Sequence, residues 1–511
     1  MKKITIHLSV LTLFACVSSA VFSQSFNQAD RWFELHKDRP TMLRQFLQQM
    51  PKGADVHTHL SGAVYAETYL KIAKQENHCL DDVTYKITAE PCKIDSGDIS
   101  ALELSKKEHQ KVVDRYSARN IEFSEKNGHD HFFDSFGLFG AISSSNDHQA
   151  TMIAEVANRA GSQNIQLLEL MISVQSKAIK RLGGDMQWVS NQNFEEARKW
   201  LLENGLTDVV IAGKKDLDSI ASASQKQMEC GTYRAQPGCN VNIRFLVQTT
   251  RNGAPAQVYA QLAYAFELAK ADPRVLGINL VSPEDTPNAM RDYSLQMNMI
   301  HYLSGISPTV KIALHAGELA FGDVPPENLR NHITDAVKIA GASRIGHGVD
   351  IGYEDNAIET LRFMKQKGVA VEICLTSNDL ILNIKGKKHP LKDYMEAGVP
   401  VILASDDEGI SRIDLTNEYV RAAVEQGLNY SQLKQISRNS LTWSFLQGPS
   451  LWLNPEKAER VAACRNDVAG SAKISTPCNA FLVNSEKAAE QWRLEAALQS
   501  FEKLPVWIGK R

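Results

Sequence analysis

The chain has no Cys-x-x-Cys pair, no surplus of either charge and, beyond its first two dozen residues, no apolar run long enough to cross a bilayer. Without Cys-x-x-Cys there is no structural zinc ribbon to expect. With 56 basic against 59 acidic residues and a net charge of −3, no summed positive field exists to hold a phosphate backbone, so nucleic acid is not an expected partner. A membrane span needs about 20 apolar residues, and none follows the N-terminus, so the mature chain is expected to be soluble. Gly (30) and Pro (17) are too few in 511 residues for a collagen-like or low-complexity chain, and 43% hydrophobic residues suffice for a large core.

Residues 1–23 have the parts of an export signal. Lys2 and Lys3 precede an apolar run from Ile4 to Val17, and Ser18, Ser19, Ala20 and Ser23 supply small residues for cleavage. Export to the periplasm or the exterior is expected. A lipoprotein site at Leu13-Phe14-Ala15-Cys16 is the lesser alternative, because Phe14 fits poorly where a small residue is usual. Export makes disulfides available. Of eight cysteines, Cys16 falls in the leader and Cys374 in the apolar run Val369 to Cys374. The other six fall into local couples in polar, loop-like stretches: Cys79 with Cys92, Cys230 with Cys239, and Cys464 with Cys478. Six cysteines can pair in many ways, and short loop closure favours the local set.

Eight β-like runs recur, each followed by a helical pattern: Gly53 to His57, Ile165 to Ile172, Val241 to Val247, Val275 to Val281, Val310 to Leu314, Arg344 to Gly346, Val369 to Cys374 and Val401 to Ala404. Several are almost continuously apolar, as parallel strands buried on both faces are. The expectation is an α/β fold, a (β/α)8 TIM-type barrel. Residues 24–50 read as a helical extension and 51–446 as the barrel, with long helical insertions after the first and second strands. Residues 447–511 read as a tail packed on the barrel exterior.

Asp55-Val56-His57-Thr58-His59 ends the first run, and a strand's period of two puts both imidazoles on one face, able to grip one metal. Alone this means little. In a chain with 14 His, about 0.4 such pairs arise by chance, and His129 and His131 form a second one in a Gly/Asp-rich stretch. Three further constellations close later runs: His315-Ala316-Gly317-Glu318, Arg344-Ile345-Gly346-His347-Gly348 and Ser405-Asp406-Asp407. A barrel brings all such strand ends to one mouth. His332 and His389 read as ordinary helix and loop residues. Phe132, Phe133, Phe136 and Phe139 read as helix core, with roofing of a pocket as the alternative.

These motifs, with Pro51-Lys52 before the first, Glu372-Ile373-Cys374-Leu375-Thr376-Ser377-Asn378, Asn439-Ser440 and Ser444-Phe445, resemble in order and spacing the signature of the adenosine deaminase family over about residues 51 to 446. The leader and long N-terminal part resemble its secreted, growth-factor-related branch. The resemblance implies that His57, His59, His315 and Asp406 hold one Zn2+, which lowers the pKa of bound water toward about 7. It also implies that Glu318, held protonated, donates to purine N1, that His347 orients or deprotonates the water, and that Asp407 bonds N7. Ser61, Gly62, Ser282 and Gly317 fall at substrate-binding positions, and Gly317 and Gly346 would admit close backbone approach.

The implied reaction is deamination of adenosine and 2'-deoxyadenosine to the inosine forms and ammonia, with a purine nucleoside as small-molecule partner and a homodimer left open. The alternatives are a deaminase of adenine, AMP or a modified nucleoside, and a non-catalytic nucleoside-binding or signalling factor. A binuclear centre is disfavoured, since Leu276-Gly277-Ile278-Asn279-Leu280 offers no Lys for a bridging carbamate.

Several positions depart from the family pattern. Ser61 replaces an Asp that contacts the ribose 5'-hydroxyl, Leu375 and Glu408 replace prolines, Met171 replaces an Arg, and Ser282 replaces a Gly. Neither Lys52, before the first strand, nor Lys385, Lys387 and Lys388, after the seventh, reads as a cation beside Ser61, so adenosine is expected over AMP. A charged hydrogen bond is worth about 1.5 to 3 kcal/mol against roughly 1 for a neutral one. Ser61→Asp is accordingly expected to lower the KM for adenosine and to worsen any AMP turnover, read from steady-state kinetics on both substrates.

Overall fold

The computed structural model describes residues 28–93, 95, 97–189 and 193–507; the export segment read at 1–23 lies outside them. Eight strands run β1 (Gly53–His59), β2 (Ile165–Ile172), β3 (Asn242–Thr250), β4 (Val275–Val281), β5 (Lys311–Ala316), β6 (Arg344–His347), β7 (Ala370–Ile373) and β8 (Val401–Leu403). Neighbours in the chain are neighbours in the sheet, and every pair is parallel. The barrel closes where Asp406 N–H donates to His57 O at 2.9 Å and His59 N–H to Asp406 O at 3.1 Å. This is a (β/α)8 barrel.

Both faces of the strands are buried. In β2, Leu167 and Met171 belong to the inner apolar cluster while Leu168, Leu170 and Ile172 pack outward under the helices. β1 departs from strict alternation. Asp55 pairs with Leu168 and Thr58 with Leu170, so one extra residue sits between them, and such a bulge re-aims the side chains beyond it. Val56 can therefore join the inner cluster while His57 and His59 turn into the mouth.

The tail does more than cover the exterior. Leu441, Phe445 and Leu446, with Leu494 and Leu498 of the helix Glu486–Glu502, join the same inner cluster as Ala54 and Val56. That helix is tied to strand starts by Gln166 Nε2 donating to Glu490 O at 2.7 Å and Asn242 Nδ2 to Glu486 Oε1 at 2.8 Å. It floors the barrel. The leading helices Gln28–His36 and Pro40–Gln49 are held to the same end by aromatic rings: Phe46 lies 5.0 Å from Phe501, 4.8 Å from Trp507 and 5.5 Å from Tyr430.

The insertion after β1 carries a three-stranded antiparallel sheet stapled by Cys79–Cys92, and helices Gly128–Leu138 and Asn146–Ser162. Cys230–Cys239 and Cys464–Cys478 are the other bridges, and Cys374 is free and buried. Among the described residues no helix is long and apolar enough to cross a membrane. Non-reducing peptide mapping is expected to recover these three bridges with Cys374 as a thiol. Loops of this size stabilise by about 2 to 4 kcal/mol per bridge, so reduction should lower the thermal midpoint; free thiols in all six positions without loss of stability would contradict the arrangement.

Candidate active site

Strand ends β1, β5 and β8 bring His57, His59, His315 and Asp406 together, and their ligand atoms all lie within 4.8 Å of one another. Neighbouring atoms are closer: His59 Nε2 is 3.3 Å from His315 Nε2 and 3.2 Å from Asp406 Oδ1, and His57 Nε2 is 3.4 Å from Asp406 Oδ1. Ligands about 2.0–2.2 Å from a tetrahedral ion lie about 3.3–3.5 Å apart, so the spacing suits one.

The far nitrogens decide which tautomer each imidazole takes. His57 Nδ1 meets Glu372 Oε2 at 2.6 Å, His59 Nδ1 meets Gln248 Oε1 at 3.1 Å and His315 Nδ1 meets Asn279 Oδ1 at 2.7 Å. Gln248 Nε2 donates to Ser173 Oγ, which fixes its oxygen toward His59. Each Nδ1 therefore donates its proton, and each Nε2 turns a lone pair to the centre, as metal-binding histidines require. His57 Nε2 is buried with no hydrogen-bond partner. The residues present fit a metal ion.

His347 is held in the opposite state. Leu391 N–H donates to His389 Nδ1 at 3.2 Å, His389 Nε2 to Asn378 Oδ1 at 3.0 Å, and Asn378 Nδ2 to His347 Nδ1 at 3.0 Å. The neutral His347 ring thus presents Nε2–H, 3.6 Å from Glu318 Oε1. Burial pushes its pKa down to about 3. A second convergent set, His57, His347, Cys374 and Asp406, is a poor alternative cage, because His347 offers a proton and burial holds the Cys374 thiol well above its ordinary pKa.

Burial and neighbouring charge shift the four carboxyls in opposite directions, two down and two up. Burial would raise Asp406, but the imidazoles of His57 and His59 beside it hold it well below the ordinary range. Burial and the charge of Asp406 push Asp407 well up. Glu318 is likewise raised, first by burial and then by Asp406 and Glu284. Glu284 opposes its own burial through Arg251 and His332 and falls to about 2. It accepts from Gly317 N–H at 3.2 Å and Glu318 N–H at 3.0 Å, and meets His332 Nδ1 at 2.5 Å. Arg251 adds a bond from Nη2 to His315 O at 2.7 Å. One ionised carboxylate thus anchors the backbone that presents a protonated one.

Two glycines are dictated by space. A Cβ on Gly62 would lie 1.5 Å from Asp407 Oδ1, and Gly317, at φ +73°, would drive one to within 2.3 Å of Asp350 Oδ1. Ser282, His347 and Asp406 adopt positive φ (86°, 67° and 58°), a strained conformation for residues with side chains.

Glu318, Asp406, Asp407, His59 and His315 line one cavity of about 420 Å³ with Ser61 and Ser282. Phe132, Phe133 and Phe136 of the helix Gly128–Leu138 form its apolar wall, while Phe139 stacks on Tyr69 at 4.4 Å in the core. Three of these four phenylalanines therefore line the pocket, and all four also pack in or against the main core cluster. His332 and His389, ordinary in their local sequence, support Glu284 and His347. Gln248, Asn279, Arg251 and Glu284 carry no motif, their one signal being a polar side chain at or just past an apolar strand, while Asn378 closes the 372–378 motif without a role assigned to it there. Glu408, where the family pattern has proline, is buried and accepts from Arg159 Nε at 2.7 Å.

A parallel (β/α)8 barrel with three imidazoles and a carboxylate converging at its C-terminal mouth is the frame of a metal-dependent hydrolase. The adenosine deaminase family model matches residues 100–451. The chain belongs to the adenosine deaminase family. It is 37% identical to the adenosine deaminase of Escherichia coli O1:K1 over 136 residues, 26% of this chain and 38% of that protein, so it spans under two fifths of the curated relatives it matches. Similar solved folds include Arabidopsis ADAL complexed with IMP (TM-score 0.51, 20% identity, 81% of this chain and 96% of that one). The adenine deaminase of Arthrobacter aurescens (0.51, 17%, 78% and 94%) is another. A third is an amidohydrolase with bound Zn (0.51, 16%, 79% and 88%).

Removing the oxygen behind a ligand should weaken the metal without removing a ligand. Asn279→Ala is expected to lower metal affinity about 10- to 100-fold and His315→Ala to leave no stoichiometric metal, both measured as metal content after dialysis against a chelator. Wild-type retention in both variants would exclude this cage.

Proposed function

We propose that this chain is an exported deaminase that hydrolyses adenosine and 2'-deoxyadenosine to inosine and 2'-deoxyinosine with release of ammonia, using one zinc ion held by His57, His59, His315 and Asp406. The observation that carries the reading is the placement of two buried carboxyls, Glu318 and Asp407, in the cavity that borders the metal cage, where burial raises the pKa of both. Purine N1 and N7 are both acceptors on the edge that carries C6, so two carboxylic acids are the partners that edge calls for. Zinc in this cage would supply a Lewis acid able to generate a hydroxide nucleophile at neutral pH.

The side chains do the rest. Glu318 gives its proton to N1 as C6 becomes tetrahedral, and its elevated pKa keeps that proton available at neutral pH. Asp407 donates to N7 and fixes the ring plane. His347, with Nδ1 already accepting from Asn378, acts as a donor through Nε2–H and orients the attacking oxygen; deprotonating it would need a free lone pair that this ring lacks. The phenylalanines cover the ring and exclude bulk water. A protein that only binds nucleosides has no use for a raised-pKa acid beside a metal cage. The leader motif and three disulfides support export.

Ammonia release from a panel of 6-aminopurines by the zinc-loaded protein is the test. Adenosine and 2'-deoxyadenosine are expected to lead adenine. Glu318→Gln should keep its metal and lose turnover by about 100-fold or more, as on removal of a general acid. An active Glu318→Gln enzyme, or two metals per chain, would overturn the assignment.

A further inference from the structure

A second cavity, of about 700 Å³, adjoins the first, and Ser61, Gln248 and Thr250 line both. Its wall carries two lysines. Lys177 and Lys180 line it and make no ion pair among the described residues, while Asp147 lines it too and Asp216 stands behind, accepting from Asn146 Nδ2 at 2.8 Å and Gln175 Nε2 at 2.6 Å. Lys180 is partly desolvated, and burial holds its ammonium below the ordinary range.

Two helices begin here. The 17-residue helix Asn146–Ser162 and the ten-residue helix Ser176–Asp185 both have an N-terminus with no side-chain cap, and their first residues line this space. Unpaired first-turn N–H groups and the helix dipole favour an anion. A third feature is independent of charge. Gln149, 3% exposed, lines the cavity, donates from Nε2 to Ser173 O at 3.1 Å and leaves a buried Oε1 without a partner. That oxygen has capacity for one more hydrogen bond, from a donor such as a hydroxyl. A ligand that suits the whole wall therefore carries both a hydroxyl and an anion.

We propose that this second cavity is a subsite for the 5'-phosphate end of an adenine nucleotide whose base occupies the first. The proposal rests on the deaminase reading for its orientation. With N1 on Glu318 and N7 on Asp407, the sugar-bearing N9 lies on the far edge of the ring from N1 and C6, and the sugar leaves toward the wall that the cavities share. The ribose supplies the hydroxyl for Gln149, and the phosphate meets Lys177, Lys180 and the two helix starts. This departs from the sequence expectation of adenosine over AMP, which rests on lysines elsewhere. Lys52 is indeed sealed away, its Nζ donating to Leu47 O, Met50 O and Gln163 O. Lys177 and Lys180, from the insertion after β2, are cations that no motif in the sequence assigns to the site.

Equilibrium binding of inosine and of inosine 5'-monophosphate to the zinc-loaded protein, read by calorimetry at low salt, tests this without turnover. The nucleotide is expected to bind at least about tenfold more tightly. That advantage should shrink as salt rises, should be lost when inorganic phosphate saturates the site, and should disappear in Lys177→Met/Lys180→Met. Equal affinities, or an advantage that survives in the double variant, would overturn the subsite. If the nucleotide advantage stands but neither adenosine nor AMP yields ammonia, the deaminase reading alone falls; if neither inosine nor its monophosphate binds, both fall.

Discussion

Glu372 is wholly buried on β7 and divides its two oxygens between Arg344 Nε, at 2.5 Å, and His57 Nδ1, at 2.6 Å. Arg344 in turn meets Glu169 Oε2 at 2.7 Å, donates to Trp443 O at 3.0 Å and stacks 3.7 Å over Phe445. Charges sealed this deep persist only if each is paired, and breaking such a pair costs about 3–5 kcal/mol. The network therefore does two jobs with one set of atoms. It pairs Arg344 with two buried carboxyls between the floor of the barrel and its mouth, and it fixes the ring of His57 with the lone pair outward. The tail that floors the barrel is thereby connected, through Arg344 and Glu372, to the first residue of the metal cage.

The same economy governs the carboxyls at the mouth. Four lie close together and buried, which disfavours charge on all of them at once. Glu284 stays ionised because Arg251 and His332 face it, and Asp406 because two imidazoles do. Their charges help to keep Glu318 and Asp407 protonated. Acid and anion are thus assigned by neighbours rather than by residue type. His347 shows the same logic for tautomers: His389 and Asn378 settle which nitrogen bears its proton, and so separate it from three histidines of identical chemistry.

The second cavity belongs to the insertions rather than to the barrel. Its lysine pair comes from the helix after β2, its other uncapped helix from the segment before β2, and the strands contribute the shared wall. Insertions on a barrel of fixed geometry are where one chemistry acquires a substrate range.

Much of this was legible in the sequence because it is local. Apolar runs repeating with helices imply strands and their order, strand ends converge by the geometry of any such barrel, and His57, His59, His315, Glu318, His347, Asp406 and Asp407 each sit in a motif a few residues long. The three cysteine couples are separated by 9 to 14 positions. What only the tertiary structure decided is carried by single polar residues with no pattern around them. Gln248 and Asn279 look like any polar residue in an apolar run until an imidazole is opposite; His332 and His389 look like surface histidines until Glu284 and Asn378 are beside them. The bulge in β1 is a property of pairing with β2, not of Asp55 to Thr58 alone. The pKa shifts and the lysine-lined cavity depend on groups brought together from segments far apart in the chain, and no local pattern records which charges will share a buried space.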